Sequence, residues 1–252
     1  MVTRVIVATL GERPSLKATL VSIAKQKIKD LEVKIVCPQS SLEKVQGMAQ
    51  EYLHSNFELI QDSGKGLSAA INQGYEAQGD FEYFCWLNDD DELTTGSLER
   101  SINSLDANPN FYAVVGTLGY LRKDKSKIVR NKVTKLNISI TKIGPNIIPQ
   151  PGSLVRRTSI GAAKLLNEKY KYAMDLDMWL RIMKFGKIGI IKETQAVMNW
   201  HQYSITVSNR KKASIEAFQI RLMNSQNLFR KFLVIICYLP TRLISSILSK
   251  IN

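Results

Sequence analysis

Apolar and polar positions fall into alternating blocks along the amino-terminal part of the chain. Residues 5–9, 32–37, 57–61 and 83–87 are short, mostly apolar runs bounded by turn-forming residues, and they read as buried strands. Between them the period changes. Leu16, Leu20 and Ile23 recur at helical spacing up to Gln26. Ser40 with Glu43 marks a capping box for a helix running to about residue 53. Residues 67–77 form a short helix after the loop 62–66. This alternation predicts an α/β fold whose mostly parallel, doubly wound sheet is flanked by helices.

The middle of the chain reads differently. Residues 113–121 and 127–133 flank a polar turn at 122–126 and predict a basic hairpin. Pro145, Pro149 and Pro151 mark an irregular crossing. Helices are expected at 158–167 and at 175–185, the second with Met178, Ile182 and Phe185 on one side. Gly186 and Gly189 flank a strand ending near Lys192, and 195–200 is another strand. Ile215, Phe218, Leu222 and Phe229 give 214–232 a helical period; 232–239 is apolar throughout, Pro240 breaks the run, and 243–248 resumes it. Neither apolar run reaches the ~20 residues of a membrane span. Flanked by Arg230, Lys231, Arg242 and Lys250, the tail fits the interface of an anionic membrane. It equally fits a helix packed on the domain or on a second subunit.

A chain of 252 residues with 44% hydrophobic positions suits one large α/β domain, with or without an appendage. The opening residues run straight into a strand pattern, with no signal-peptide pattern. Cys37, Cys85 and Cys237 lie far apart in apolar surroundings, without CxxC or zinc spacing, and read as buried thiols in a reducing compartment. The net charge of +13 is concentrated at 122–142 and beyond residue 210. Such a balance favours a phosphate-rich partner, whether nucleic acid, anionic lipid or a nucleotide diphosphate; plain solubility accounts for it as well.

The candidate chemistry lies at 84–93. An apolar strand ends in Asn88, Asp89, Asp90, Asp91 and Glu92. Ligands of open α/β sheets bind at the carboxyl ends of strands, and a carboxylate cluster there suits a hard cation such as Mg²⁺ or Mn²⁺. The competing reading is an acidic turn before the helix that begins near Thr95. Thr9, Leu10 and Glu12 follow the first strand, where a nucleoside would rest. Lys65 and Ser68 sit at a helix amino terminus, within reach of a base, ribose or phosphate.

Four segments, in order, resemble the family 2 glycosyltransferases, nucleotide-sugar-dependent enzymes of the GT-A fold. They are residues 5–13 with the helix 16–26; Gly66 to Gly74 running into 84–93; 149–157; and 175–181. The acidic motif begins here with Asn88 where the family often has Asp. The segment after the second strand, 37–41, lacks the family's carboxylate and leaves the nucleotide base open. The resemblance implies a GT-A domain over 1–210, with a nucleotide-sugar half at 1–105 and an acceptor half at 106–210. The remainder, 211–252, is a basic amphipathic tail open to membrane or oligomer contact.

The resemblance further implies an inverting, metal-dependent transfer from a nucleotide diphosphate sugar to a glycan or glycolipid acceptor, in surface polysaccharide or lipopolysaccharide synthesis. The setting would be cytoplasmic or peripheral on the inner face of the plasma membrane. Asp175 would be the catalytic base, with Asp177 as runner-up. Asn88, Asp89 and Asp90 would face the donor, and Asp90, Asp91 and His201 would serve Mn²⁺ or Mg²⁺. Gln150, Trp179 and Asp177 would border the acceptor. Each role has a structural rival. Asp175 suits a helix dipole, Trp179 suits a core, and His201 suits a structural histidine. Two other functions remain open: a sugar nucleotidyltransferase, against which stands the absence of a Gly-rich triphosphate loop, and a non-catalytic basic module. No nucleic-acid motif is found, and no nucleic acid is expected as a partner.

Overall fold

The computed structural model describes residues 1–121, 128–161, 165–199 and 209–248. Strands β1 (Thr3–Ala8), β2 (Leu31–Cys37), β3 (Phe57–Gln61) and β4 (Tyr83–Asn88) pair in parallel in the order β3-β2-β1-β4. Helices α1 (Leu16–Ala24), α2 (Leu42–Leu53) and α3 (Leu67–Glu76) make the crossovers. This half follows the sequence pattern closely. Strands β1, β2 and β4 are buried on both faces over most of their length, whereas β3 at the sheet edge is half-buried to exposed. Val5, Val7, Cys85 and Leu87 pack with Leu20 of α1 and Val45 of α2. Ile6, Ala8, Phe84 and Trp86 pack with Ile71 of α3 and with Met178, Trp179 and Ile182 across the sheet. Gly74 lets α3 approach closely: a Cβ there would lie 2.6 Å from Ile6 Cγ2.

The second half adds β5 (Asp91–Leu93), α4 (Ser97–Asp106), β6 (Phe111–Leu121), β7 (Ile128–Asn131), α5 (Lys135–Thr141), β8 (Leu154–Arg156), α6 (Met174–Phe185) and β9 (Lys187–Asn199). The sheet continues β4-β8-β6-β9-β5, with β7 on β6. Strand β8 pairs antiparallel with both β4 and β6, and β5 pairs antiparallel with β9. Helices α7 (Arg210–Asn224) and α8 (Leu228–Leu248) follow.

Several local expectations change. The two strands expected after Gly186 are one, β9; its register on β6 jumps from Gly116–Ile191 to Thr117–Thr194, so polar Lys192 and Glu193 bulge out of a continuous ladder. The helix expected at 158–167 is replaced, among the described residues, by a 3₁₀ turn at Arg157–Ser159. Further along, Asn72 takes both the N–H and the carbonyl of Leu166 at 2.9 Å, which withdraws them from helical bonding. No capping box opens α2; a 3₁₀ turn at Gln39–Ser41 precedes it, and Ser41 Oγ donates instead to the Leu10 carbonyl. The tail breaks at Ser225–Asn227, where Asn227 Oδ1 accepts the Arg230 N–H at 2.8 Å and caps α8, which then runs through Pro240. The tip of the expected basic hairpin lies outside the described residues.

Candidate active site

The site grows from the adjacent carboxyl ends of β1 and β4, where Ala8 pairs with Asn88. Beyond β1 the chain turns through Gly11 at φ +74°, a conformation that favours glycine, and a Cβ there would meet Ser41 at 2.6 Å. Thr9 is fixed in that turn. Its Oγ1 accepts the Gly11 N–H at 2.9 Å and donates to Asp89 Oδ2 at 2.7 Å. Arg13 Nη1 lies 2.9 Å from Asp89 Oδ1 and 3.1 Å from Asp90 Oδ2, so two carboxylates converge on one positive charge.

Asp91 takes no part in this convergence. It opens β5, is fully buried, and its Oδ2 accepts the Asn88 backbone N–H and side-chain amide, each at 3.1 Å. Burial, followed by the neighbouring Asp90 charge, pushes its pKa up to about 7 against the pull of the Asn88 bonds. Asp91 therefore serves as the pivot of the turn, while Asp89 and Asp90 face the cleft.

A further part of the wall is the loop ahead of α6 and the first turn of that helix. Asp175 Oδ2 accepts the Asn146 amide at 2.9 Å. Burial raises the Asp175 pKa, opposed by the Leu176 N–H, the Asn146 amide, its own N–H and the Arg221 charge. Gln150 Nε2 donates to the Trp86 carbonyl at 2.7 Å, tying the 149–152 turn to the end of β4. The loop itself is clamped from two sides. From α3, Ser68 Oγ donates to the Tyr170 carbonyl at 2.9 Å, and Asn72 holds Leu166. From α7, the Glu216 carboxylate accepts the backbone N–H groups of Lys171, Tyr172 and Ala173 at 2.7–3.1 Å.

These walls enclose a cleft of about 520 Å³. Thr9, Leu10, Glu12, Asn88, Asp89, Asp90, Gln150 and Asp175 all line it. Other expected site residues lie elsewhere. Trp179 is fully buried in the core under the sheet, and Asp177 is buried in an ion pair with Arg181 at 2.9 Å, so neither is open to an acceptor. Ser68 is spent on the loop clamp, and Lys65 and Asp91 do not line the cleft. His201 lies outside the described residues. The structure adds Arg13, Asp62, Lys171 and Tyr172. Asp62, just past β3, adds a further carboxylate to the cleft lining. A basic–aromatic pair just ahead of the α6 aspartate was the one signal in the sequence for Lys171 and Tyr172.

The donor set suits a hard divalent ion in part. Asp89 and Asp90 present oxygens to a single cationic group, here the Arg13 guanidinium. Among the described residues no group of three or more His, Cys, Asp and Glu is disposed for a metal, so these two carboxylates would rely on other ligands to complete a shell.

The family model described as "Glycosyl transferase family 2" matches residues 4–162. A Campylobacter jejuni protein, GalNAc(5)-diNAcBac-PP-undecaprenol beta-1,3-glucosyltransferase, is 26% identical over 220 residues, covering 83% of this chain and 68% of its own. Among solved structures, S. aureus TarS 1-349 in complex with UDP-GlcNAc superposes with a TM-score of 0.70 at 16% identity, over 94% of this chain and 71% of that one. The mannosyltransferase PcManGT of Pyrobaculum calidifontis, in complex with GDP-Man and Mn²⁺, gives 0.70 at 16% identity over 96% and 73%. The fold is thus the GT-A fold, with a parallel first half and a mixed second half.

Proposed function

Because the chain belongs to glycosyl transferase family 2 and is a glycosyltransferase, we propose that its cleft transfers a sugar, with inversion, from a nucleotide diphosphate sugar to a lipid-linked glycan. The observation that carries this reading is that Asp89 and Asp90, at the end of β4, and Asp175, at the start of α6, line one cleft. The two adjacent carboxylates suit the donor's diphosphate through a divalent cation. The single carboxylate on α6 suits a hydroxyl nucleophile. The nucleotidyltransferase and basic-module readings account for neither the family nor this arrangement.

On the donor side, Thr9, Leu10, Glu12 and Asp62 surround the space for the nucleoside, and Asp62 is the candidate for reading base or ribose. Asp89 and Asp90 would hold Mn²⁺ or Mg²⁺, which when bound supplies Lewis-acid stabilisation to the departing diphosphate. Lys171 and Arg13 add positive charge to the same cleft. On the acceptor side, Asp175 takes the proton from the attacking hydroxyl as the new glycosidic bond forms and the bond to the diphosphate breaks on the opposite face. Its bond to Asn146 orients the carboxylate, and its raised pKa makes it a stronger base than an exposed Asp. A lipid-linked acceptor, the class named for the Campylobacter relative, implies work at the inner face of a membrane in surface glycan assembly.

The test is thermal stabilisation by a panel of nucleoside diphosphates and their sugars with and without Mn²⁺, followed by NMR of the product's anomeric configuration. A metal-dependent shift with one nucleotide, lost in Asp90→Ala, and an inverted product support the reading; at 100-fold excess over Kd the stabilisation is about 2.7 kcal/mol. Retained configuration, or equal binding and turnover in chelator, overturns it.

A further inference from the structure

We propose that the outer face of the C-terminal helix pair is a membrane-docking surface, and that the basic pocket at its base takes the phosphate of an anionic lipid. In α8, Leu228, Phe229, Phe232, Ile235 and Ile236 recur at the spacing of one helical face and are 47% to 82% exposed. The other side of the helix is spent on α7: Val234 is buried, and Tyr238 stacks on Phe218 with ring centroids 4.1 Å apart. An exposed apolar ridge of this kind calls for a partner.

The pocket identifies the partner. At the junction of α6, α7 and α8, Lys142, Lys184, Arg221 and Arg230 line a recess of about 120 Å³, and no carboxylate is among its described lining residues. Arg221 is 7% exposed; its Nε and Nη1 donate to the Thr141 and Ala217 carbonyls, while Nη2 is buried with no hydrogen-bond partner among the described residues. Four cations around a phosphate-sized recess, set at the first turn of the helix whose Leu228 and Phe229 open the apolar ridge, match the surface of an anionic bilayer: headgroup phosphate at the recess, acyl chains on the ridge. A second copy of this chain would bring four like charges with it. Among the described residues no helix is long and apolar enough to cross a membrane, so the contact is peripheral.

This inference stands on the tail and the basic recess at its junction with α6, and does not depend on the transfer chemistry. The experiment is co-sedimentation of the full chain with phosphatidylcholine vesicles and with vesicles containing phosphatidylglycerol, without nucleotide. Wild type should pellet with the anionic vesicles only. Lys184→Glu with Arg230→Glu, and separately Phe229→Ser with Phe232→Ser, should each weaken binding by roughly tenfold or more, with the thermal midpoint and the nucleotide-induced shift retained as controls for folding. Excess inorganic phosphate at constant ionic strength, the free-anion probe, should compete for the recess and lower vesicle affinity in wild type but not in the Lys184/Arg230 variant. Vesicle binding indifferent to the charge reversals or to phosphate overturns the lipid pocket. Failure to bind vesicles, together with a dimer in light scattering that dissociates in the Phe229/Phe232 variant, overturns the membrane and assigns the ridge to a second copy.

Discussion

Glu216 accepts the backbone N–H of Tyr172 at 2.7 Å, across a separation of 44 residues, and takes the N–H groups of Lys171 and Ala173 with the same carboxylate. A helix of the tail thereby fixes the loop that brings Lys171, Tyr172 and Asp175 to the cleft. Glu216→Ala removes the acceptor for three donors and should cost about 1–3 kcal/mol. The thermal midpoint and steady-state kinetics check this: acceptor kcat/KM should fall well beyond any change in nucleotide binding, and Glu216→Gln, which keeps one carbonyl oxygen, should recover part of both.

Asp175→Asn keeps the size of the side chain and removes its basicity. Turnover should fall by about 10²–10⁴-fold, the range for loss of a general base. Calorimetric titration with the donor nucleotide should give an affinity close to wild type, as the acceptor-side role proposed for Asp175 requires. A variant that turns over normally would reduce Asp175 to a helix N-terminal carboxylate.

The raised Asp175 pKa gives the pH profile a definite sign. A base works ionised, so kcat/KM should fall as pH drops through that pKa, on a limb above the ~3.9 of an ordinary Asp. Arg221 is a positive charge that pulls this pKa down. Arg221→Met should therefore move the acid limb to higher pH, while Asp175→Asn should remove the limb from the residual rate.

Arg13 neutralises Asp89 and Asp90 where a cation would sit. Arg13→Ala should destabilise the metal-free protein by up to about 1 kcal/mol, since the guanidinium is partly exposed. Added Mn²⁺ should then raise the melting midpoint more in the variant than in wild type. An equal Mn²⁺ response in both would show that Arg13 does not compete with the ion, and a shift that survives Asp89→Ala with Asp90→Ala would show that the two carboxylates do not bind it.

Gly74→Ala drives a methyl to 2.6 Å from Ile6 Cγ2. Overpacking of this kind costs roughly 1–3 kcal/mol. Adding Ile6→Ala, which removes that Cγ2, should cost less than the sum of the two single changes, and denaturant unfolding of the two single variants and the double variant measures that coupling.

The sequence by itself determined the order of elements in the first half, the parallel character of its sheet, and the acidic turn after β4. Those features are local: apolar runs buried on both faces, helical spacing at Leu16, Leu20 and Ile23, and turn residues at the boundaries. Asp175 stands out only through the resemblance of 175–181 to a family segment, since its local pattern suits a helix N-terminal carboxylate equally. Tertiary structure alone decided which of three consecutive aspartates face the cleft, because β5 pairs with β9 and turns Asp91 inward. It sent Trp179 into the core and gave Asp177 to Arg181, since helical spacing marks a face but not what covers it. It also brought Glu216 onto residues 171–173 and Asn72 onto Leu166, contacts between polar side chains and distant backbone that leave no periodicity in the sequence. The strand pairings of β8 and β5 belong to the same class: strands this short acquire their identity from their neighbours in the sheet.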